Sequence, residues 1–491
     1  MGVFARLVNY LKGVIRRVIP YQNVETAEHI DSPIDPDMVN ALDDWHKLYT
    51  NKAPWVDGEN VKSLNLPALI CSEIARQVTL EVKWNITGKE KDGDEQPKSN
   101  PRAEYLKAEF EKLMRILRQK LEQGCAAGGM TIKPYPNKKD GHIYFDFTMD
   151  WSLYPVSFGD DGNLTDVVFL NQFMEGETVY TRLERHQKDG KNVKVTNRAF
   201  KSTNKEALGK EITLGEVPQW ATLKPSALVT DVDGQMFGWY KVALANSVDV
   251  DCPVGVSVFA KARDIIKEAD LQYSRLLWEY EGSELAIDVD PLVLKPKPGS
   301  KEKEMPKLKE RLFRAVDMGQ DDTYKIFSPT IRDASLLNGL NQLFMRIEDT
   351  CGLSRGTISD ANAEARTATE LKIVRQRTYA TIHDNQQALE ACLRDVIRAM
   401  DKYATLYNLA PKGDYDVSFE WDDSILTDMD QQVQERLMLY NAGMLGKVEF
   451  REWYFGETKS QAEEAVNTIR EELQSERLAG MMLPTVPTEG D

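Results

Sequence analysis

The most constraining feature of this 491-residue chain is a pair of apolar stripes on either side of a polar insertion. In both stripes the apolar residues recur at spacings of three and four, which is typical of one buried face of a helix. The first stripe consists of Phe259, Ala262, Ile266, Ala269, Tyr273, Leu276 and Tyr280, and the second of Leu337, Leu340, Phe344, Ile347 and Cys351. A single hairpin of two such helices cannot cover both its seam and its flanks. The pattern therefore predicts that copies of the chain pack side by side.

The insertion between the stripes, residues 281–331, is rich in lysine and proline and contains short runs of strand-forming residues. Six of its lysines are Lys295, Lys297, Lys301, Lys303, Lys307 and Lys309. Its composition is compatible with a solvated loop or with a projecting contact module. Because it lies between two long helices, it is expected at their tip.

Length and composition exclude several classes of protein. A chain of this length exceeds the size at which one core stops growing, so several domains or an elongated protomer are expected. The five cysteines have no CxxC spacing and the five histidines are far apart, so we expect no disulfide framework, metal site or cofactor. Phosphate-binding glycine loops are also missing. A net charge of −16 argues against sequence-specific DNA binding, which needs a basic surface.

The first 24 residues are basic and amphipathic. Four cations occur there without any acid, namely Arg6, Lys12, Arg16 and Arg17. Such a segment is typical of a helix that docks on its own domain or on a partner, or of a membrane-surface helix or presequence. We prefer the docking helix. No run approaches the roughly 20 apolar residues of a membrane span, so no membrane is expected as a partner.

The remaining periodicity predicts an α+β chain. Residues 128–220 alternate in short β-rich runs separated by Asp-Gly turns, which is typical of antiparallel hairpins. Helices are predicted at 35–50, 63–77, 103–123, 253–280, 332–351, 368–408, 428–444 and 459–477, with the helix from 103 ended by Gly124.

One enzyme motif is present. Gly352-Leu353-Ser354-Arg355-Gly356 matches the GxSxG nucleophile elbow, in which a strand enters the turn and a helix leaves it. The residues before Gly352 have helical periodicity, and a glycine that stops a helix explains the same letters. We therefore expect no catalysis and keep a soluble serine hydrolase using Ser354 as the alternative.

Four segments, taken in order, carry a family resemblance: 63–75 (SLNLPALICSEIA), 183–186 (LERH), 246–257 (NSVDVDCPVGVS) and 368–370 (ATE). Together they resemble the portal proteins of tailed bacteriophages, the head-to-tail connectors of siphovirus type. The resemblance implies an elongated α+β protomer with a β-rich wing, a two-helix stem, a small α/β clip, a long wing helix and a helical crown, assembled as a ring. The implied segments are an N-terminal basic helix and arm (1–60), wing (61–252), first stem helix (253–280), clip (281–331), second stem helix (332–351), tunnel loop (352–367), long wing helix (368–410), crown (411–479) and a disordered tail (480–491).

The resemblance also implies a function. Such proteins form a ring of twelve subunits at the capsid vertex, through which double-stranded DNA is packaged and later ejected. The implied partners are the terminase large subunit, head-completion, adaptor and tail proteins, and the major capsid and scaffolding proteins. The implied location is the virion, after assembly in the cytoplasm of a bacterial host. Another capsid-associated minor head protein is a further alternative.

Three sets of site residues follow from this resemblance. The tunnel loop would place Thr357, Ser359, Asp360, Asn362, Glu364 and Arg366 at the DNA channel. The stem would use Phe259, Ile266, Tyr273, Tyr280, Leu337, Phe344 and Ile347 between subunits. The clip would bind partners through Lys295, Lys297, Lys301, Lys303 and Lys307. Carboxylates around such a tunnel would repel phosphates, so that DNA slides rather than binds.

Overall fold

A computed structural model describes residues 20–80, 82–89, 100–137, 140–284, 286–289, 313–315, 324–360, 368–421 and 429–481. It combines helices and sheets in two compact units, Met1–Trp421 and Asp422–Asp491. No helix among these ranges is long and apolar enough to cross a bilayer. The basic N-terminal segment up to residue 19 and the tail from residue 482 lie outside the described residues.

The helices of the first unit have the bounds α1 Tyr21–Glu28, α2 Pro36–Tyr49, α3 Leu66–Thr79, α4 Pro101–Ala127, α5 Arg263–Gly282, α6 Asp333–Cys351 and α7 Ala368–Leu406. Two of them begin with an acceptor cap followed by proline. Asp35 accepts from the backbone N–H of Asp37, and Asn100 accepts from that of Ala103. A side-chain oxygen at this position satisfies a donor that the first helical turn leaves free.

The predicted end of α4 at Gly124 is wrong. Gly124 lies inside the helix, where a larger side chain would press against Met130. The helix continues to Ala127, and Gly128 ends it with a φ of 88°. Both glycines are close to the end of the apolar stripe, and only the left-handed backbone distinguishes the one that stops the helix.

The strands form four sheets. Their bounds are β1 Val82–Gly88, β2 Gly129–Asn137, β3 His142–Met149, β4 Leu153–Phe158, β5 Leu164–Glu175, β6 Thr178–Asp189, β7 Asn192–Ser202, β8 Lys210–Ile212, β9 Ser226–Val229, β10 Gly238–Lys241, β11 Ala286–Val289, β12 Phe313–Ala315, β13 Tyr324–Phe327 and β14 Tyr415–Trp421. The largest sheet has the order β4-β5-β6-β7-β8, with β9 also paired to β7, and all its pairs are antiparallel. The predicted hairpins in this region are confirmed.

The remaining strands form three smaller sheets. Strands β10-β2-β3 form one sheet, and the core lies between it and helices α3, α4 and α7. Strand β11 pairs parallel to β12 and antiparallel to β13 between α5 and α6. Strand β14 pairs antiparallel with β1. Residues 411–421, which the sequence analysis placed in the crown, thus belong to the first unit.

The first stem helix begins later than predicted. Residues 253–259 are non-helical, with 254–259 buried, and a short 3₁₀ turn, Ala260–Ala262, precedes α5. Gly255 lies so close to the backbone of Gly128 that a Cβ would overlap it, and the N–H of Val258 donates to the carbonyl of Cys125 at 3.1 Å. Packing against the end of α4 therefore overrides the helical spacing of this segment.

The second unit contains α8 Met429–Asn441, α9 Lys447–Phe455 and α10 Lys459–Met481. The first and last of these match the predicted helices, whereas α9 was missed. This helix is only nine residues long, and its aromatic residues are mixed with charged ones. The helical spacing of its apolar residues therefore covers too few turns to be recognised. Phe450 and Tyr454, one turn apart, stack with ring centroids 5.8 Å apart.

Candidate functional site

The α5–α6 hairpin contains all but the first of the predicted stem residues, and it buries them to different degrees. Phe259, just before the hairpin, and Ile266 and Ile347 within it are at most 1% exposed, inside the chain's own core. Tyr273 and Phe344 are half-buried, and Tyr280 and Leu337 are exposed. The end of the stripe that faces the insertion is therefore the part of it most available to a neighbouring molecule.

Further apolar side chains are exposed at this same end of the hairpin. Trp278, in the last turns of α5, is 67% exposed, and Tyr324, on β13, is 66% exposed. Ile326 and Ile331 are exposed as well. The spacing of apolar residues does not predict Trp278, because it lies off the helical stripe. The alternation of Tyr324 and Ile326 along β13 is the signal that could have found the strand residues.

An ion pair joins the two helices at the base of the insertion. Arg332 donates from Nη2 and Nε to the carboxylate of Glu279 at 2.7 and 3.1 Å, and its backbone N–H also donates to Glu279. The hydrogen bonds from Arg332 hold the pKa of Glu279 below its usual range. The last turn of α5 and the start of α6 are thus fixed together. The predicted clip lysines lie outside the described residues.

The turn after α6 is a glycine helix stop. Gly352 has a φ of 73°, and its N–H and that of Leu353 both donate to the carbonyl of Glu348. A Cβ at this position would overlap the hydroxyl of Thr381 on α7. Ser354 forms hydrogen bonds with Thr378 through its N–H and its hydroxyl. Since a helix, and not a strand, enters the turn, the GxSxG letters do not form a nucleophile elbow.

The carboxylate of Glu348 organises the backbone of this turn. Glu348 is fully buried and accepts hydrogen bonds from the backbone N–H groups of Gly356, Ile358 and Ser359. The hydroxyl of Ser359 also donates to it, at 2.7 Å. A buried carboxylate needs such donors, because an unpaired charge in the interior is very costly. Sequence spacing gave no sign of this role.

The predicted tunnel-loop residues divide into two groups. Ser359 is buried against Glu348, Thr357 donates its hydroxyl proton to the Ser354 carbonyl, and Asp360 is exposed while its N–H donates to Asn341. The other three, Asn362, Glu364 and Arg366, lie outside the described residues.

The carboxylate of Asp349, the residue after Glu348, is paired with two arginines. Arg355 donates to it from Nε and Nη2, and Arg377 of α7 donates from Nη1 at 3.2 Å. The hydrogen bond from Arg355 holds the pKa of Asp349 below its usual range. The sequence could not reveal this cluster, because Arg377 comes from a different helix.

The described ranges contain no group of three or more histidine, cysteine or acidic side chains able to hold a metal ion. All five cysteines are buried and unpaired. Burial raises the pKa of the Cys125 and Cys351 thiols to about 12, which leaves them unreactive at neutral pH.

Comparison with known proteins identifies the family. The class that matches this α+β chain is that of phage portal proteins. The sequence model described as "Phage portal protein, SPP1 Gp6-like" matches residues 59–477. The chain therefore belongs to the SPP1 Gp6-like family of phage portal proteins. A search of curated proteins finds no match.

Three solved structures are similar over most of both chains. "Virion of native gene transfer agent (GTA) particle" is 10% identical with a TM-score of 0.38, covering 90% of this chain and 99% of that one. "Neck of empty GTA particle computed with C6 symmetry" is 9% identical with a TM-score of 0.39, covering 88% and 98%. "Neck of native GTA particle computed with C12 symmetry" is 10% identical with a TM-score of 0.36, covering 87% and 96%.

Proposed function

We propose that this chain forms the dodecameric ring at one capsid vertex through which double-stranded DNA enters the phage head and later leaves it. The observation that carries the proposal is family membership across residues 59–477. The role is structural, with no catalysis and no cofactor. Within it we assign the wing to 61–252, the stem to 253–280 and 332–351, the clip to 281–331, and the crown to the unit that begins at residue 422.

Exposed apolar side chains at the end of the hairpin support contact between copies. The exposed residues there are Trp278, Tyr280, Leu337, Tyr324, Ile326 and Ile331. Aromatic side chains can each bury roughly 150–250 Å², and exposed patches beyond a few hundred Å² mark interaction sites. We propose that a neighbouring copy covers this patch. The stem contacts of Tyr273, Tyr280, Leu337 and Phe344 belong to the same interface.

The turn after α6 supports the tunnel-loop assignment. Residues 352–360 are held by Glu348, Asn341 and Thr378, so the turn is a firm root for the segment that follows it in the sequence. Asp360 lies exposed at the end of this root. We propose that Asn362, Glu364 and Arg366 continue it along the channel.

The proposed clip would be the part of the chain that binds partner proteins. Strands β11, β12 and β13 form a small sheet between the two stem helices. The lysines of the insertion, Lys295 to Lys307, would contact the terminase large subunit during packaging and head-completion or tail proteins afterwards. Capsid and scaffolding proteins would surround the wing. A minor head protein is the remaining alternative, and the symmetry of assembled particles separates the two.

Deletion of residues 361–364 tests the tunnel-loop role. A deletion that also removed Ile358 and Ser359 would leave the buried Glu348 carboxylate without its main donors, and the hairpin itself would be damaged. The shorter deletion spares every described contact. Rings should still form, whereas packaging or retention of DNA in the head should fail.

The control for this deletion is removal of residues 92–95, a segment of the same length that also lies outside the described residues. Heads assembled with the control variant should fill normally. Normal filling with the 361–364 deletion would contradict the tunnel-loop assignment, and absence of rings from the unaltered chain would contradict the proposed function itself.

A further inference from the structure

Three arginines, one on α6, one in the turn after it and one on α7, lie near one surface carboxylate. Arg355 and Arg377 both donate to Asp349, and Arg346, one helical turn earlier, adds to the positive field there. The side chains of Arg355 and Arg377 are 52% and 58% exposed, and Arg346 is exposed too. This arginine patch, Arg346, Arg355 and Arg377, is a local concentration of positive charge in a chain of net charge −16.

We propose that the arginine patch binds the phosphate backbone of double-stranded DNA. The inference rests on the proposed function, because it names the element of the channel that meets the DNA. It also modifies the expectation of a uniformly repelling tunnel. Each subunit would contribute a few cations at the root of its tunnel loop.

The patch is preorganised for phosphate. A guanidinium carries five N–H donors in a rigid planar fork that matches phosphate oxygens. Asp349 accepts from two nitrogens of Arg355 and from one of Arg377. The remaining donors of both forks can serve a further acceptor. Asp349 therefore orients the two guanidinium groups without using up their capacity to bind an anion.

Glu348 acts as the positioning residue for this patch. Its carboxylate accepts from the N–H of Gly356, the residue directly after Arg355, and from those of Ile358 and Ser359. The backbone that carries Arg355 is thus fixed before any ligand arrives. Fixing it in advance lowers the entropy that binding would otherwise cost.

The surroundings of the patch favour a polyanion over a protein. Protein contacts usually depend on a buried aromatic or aliphatic anchor within the patch. The neighbouring side chains in the turn include the polar Thr357 and Asp360, and the aliphatic Ile358 packs against the chain's own core, so none of them offers such an anchor. Duplex DNA presents one negative charge per about 1.7 Å of helix axis, so cations repeated around a ring meet phosphates at any rotation of the duplex. With only three arginines per subunit, salt would screen the contact and DNA could still slide.

Binding of duplex DNA by assembled rings tests the proposal. A fluorescently labelled duplex of random sequence is titrated with full-length protein at several salt concentrations, and anisotropy is measured. The triple variant R346Q/R355Q/R377Q should lose affinity by about tenfold or more at low salt. Its plot of log affinity against log salt should be shallower, by about one unit for each phosphate that an arginine no longer neutralises. The single variant R377Q should change both quantities in the same direction if the triple variant does not assemble.

R115Q is the matched control. Arg115 on α4 is also exposed and paired with a carboxylate, that of Glu111. Its replacement should leave DNA affinity and salt dependence unchanged. Equal binding by wild-type and patch variants, or an equal loss with R115Q, would overturn the proposal.

Polyglutamate of matched charge distinguishes the class of partner. If it displaces the labelled duplex from wild-type rings as well as unlabelled duplex does, the patch is a site for acidic protein and the proposal is wrong. Mass photometry before DNA is added separates failure of the proposed function, in which the unaltered chain forms no rings, from failure of this inference alone.

Discussion

Asp150 is a buried carboxyl group whose environment makes stability depend on pH. It is 2% exposed, Trp239 donates to Oδ1 at 3.2 Å, and Oδ2 has no hydrogen-bond partner. Burial raises the pKa of Asp150 to about 7. In the unfolded chain an aspartate ionises near pH 3.9. Between these values the folded chain binds more protons than the unfolded chain, so stability falls as pH rises.

Replacement of Asp150 by asparagine should remove this part of the pH dependence. The wild-type chain should lose about 2–3 kcal/mol of stability from Asp150 between about pH 5 and about pH 8. Urea titrations at the two pH values measure the difference. D233N, at a side chain that is 98% exposed, is the control and should behave like wild type. A D150N variant with the full pH dependence of wild type would show that Asp150 is ionised in the folded chain.

Glu348 gives a second prediction at the residue scale. In E348Q an amide N–H₂ replaces one of the oxygens that accept from the turn, so at least one backbone donor loses its partner. The amides of Gly356, Ile358 and Ser359 should then exchange with deuterium roughly ten to a hundred times faster. E268Q, at an exposed position on α5, is the matched control. Unchanged protection of the three amides in E348Q would mean that Glu348 does not hold the turn.

At the scale of elements, the end of the α5–α6 hairpin carries the contact between copies that we propose. Trp278 and Leu337 are both exposed, so replacing both by serine should change the stability of the isolated chain by little. Ring assembly should weaken by about tenfold or more in the concentration required, because buried tryptophans dominate protein interfaces. Mass photometry over a dilution series measures this.

V250S is the control for the hairpin variant. Val250 is 88% exposed, but it lies outside the hairpin, in the segment before the buried residues 254–259. It should assemble like wild type. Normal assembly of the Trp278→Ser/Leu337→Ser variant would exclude this end of the hairpin from the interface.

The elements also show what the sequence could predict. The regular spacing of apolar residues predicted α5, α6, α7 and the hairpins of the large sheet, because each of these elements buries one face. The period alone could not say whether the chain itself or a neighbouring copy covers the stripe. Ile266 and Ile347 are covered within the chain, whereas Leu337 is not. That difference depends on packing between distant segments.

The residues of the turn after α6 were partly predictable for a related reason. Gly352 was recognised as a helix stop from the stripe that precedes it, and the structure confirms this. The roles of Glu348 and Asp349 were not, because their partners are backbone N–H groups and an arginine of α7. Neither kind of partner produces a recognisable spacing of residue types in the sequence.

At the scale of the whole molecule, the function that we propose requires copies of the chain to form a closed ring. An acidic chain with a small basic patch at the loop root would suit a conduit in which DNA is guided but not trapped. A heterologous contact repeated between identical copies closes into a ring only when its rotation divides a full circle. The number of copies is therefore the property that the proposed function fixes most sharply.

Mass photometry of the purified full-length chain tests this property directly. Twelve copies of a 55.8-kDa chain have a combined mass of about 670 kDa, and class averages of the same particles should show twelve-fold symmetry around an open centre. A single species at 55.8 kDa under all conditions, or a closed particle without a central opening, would contradict the account.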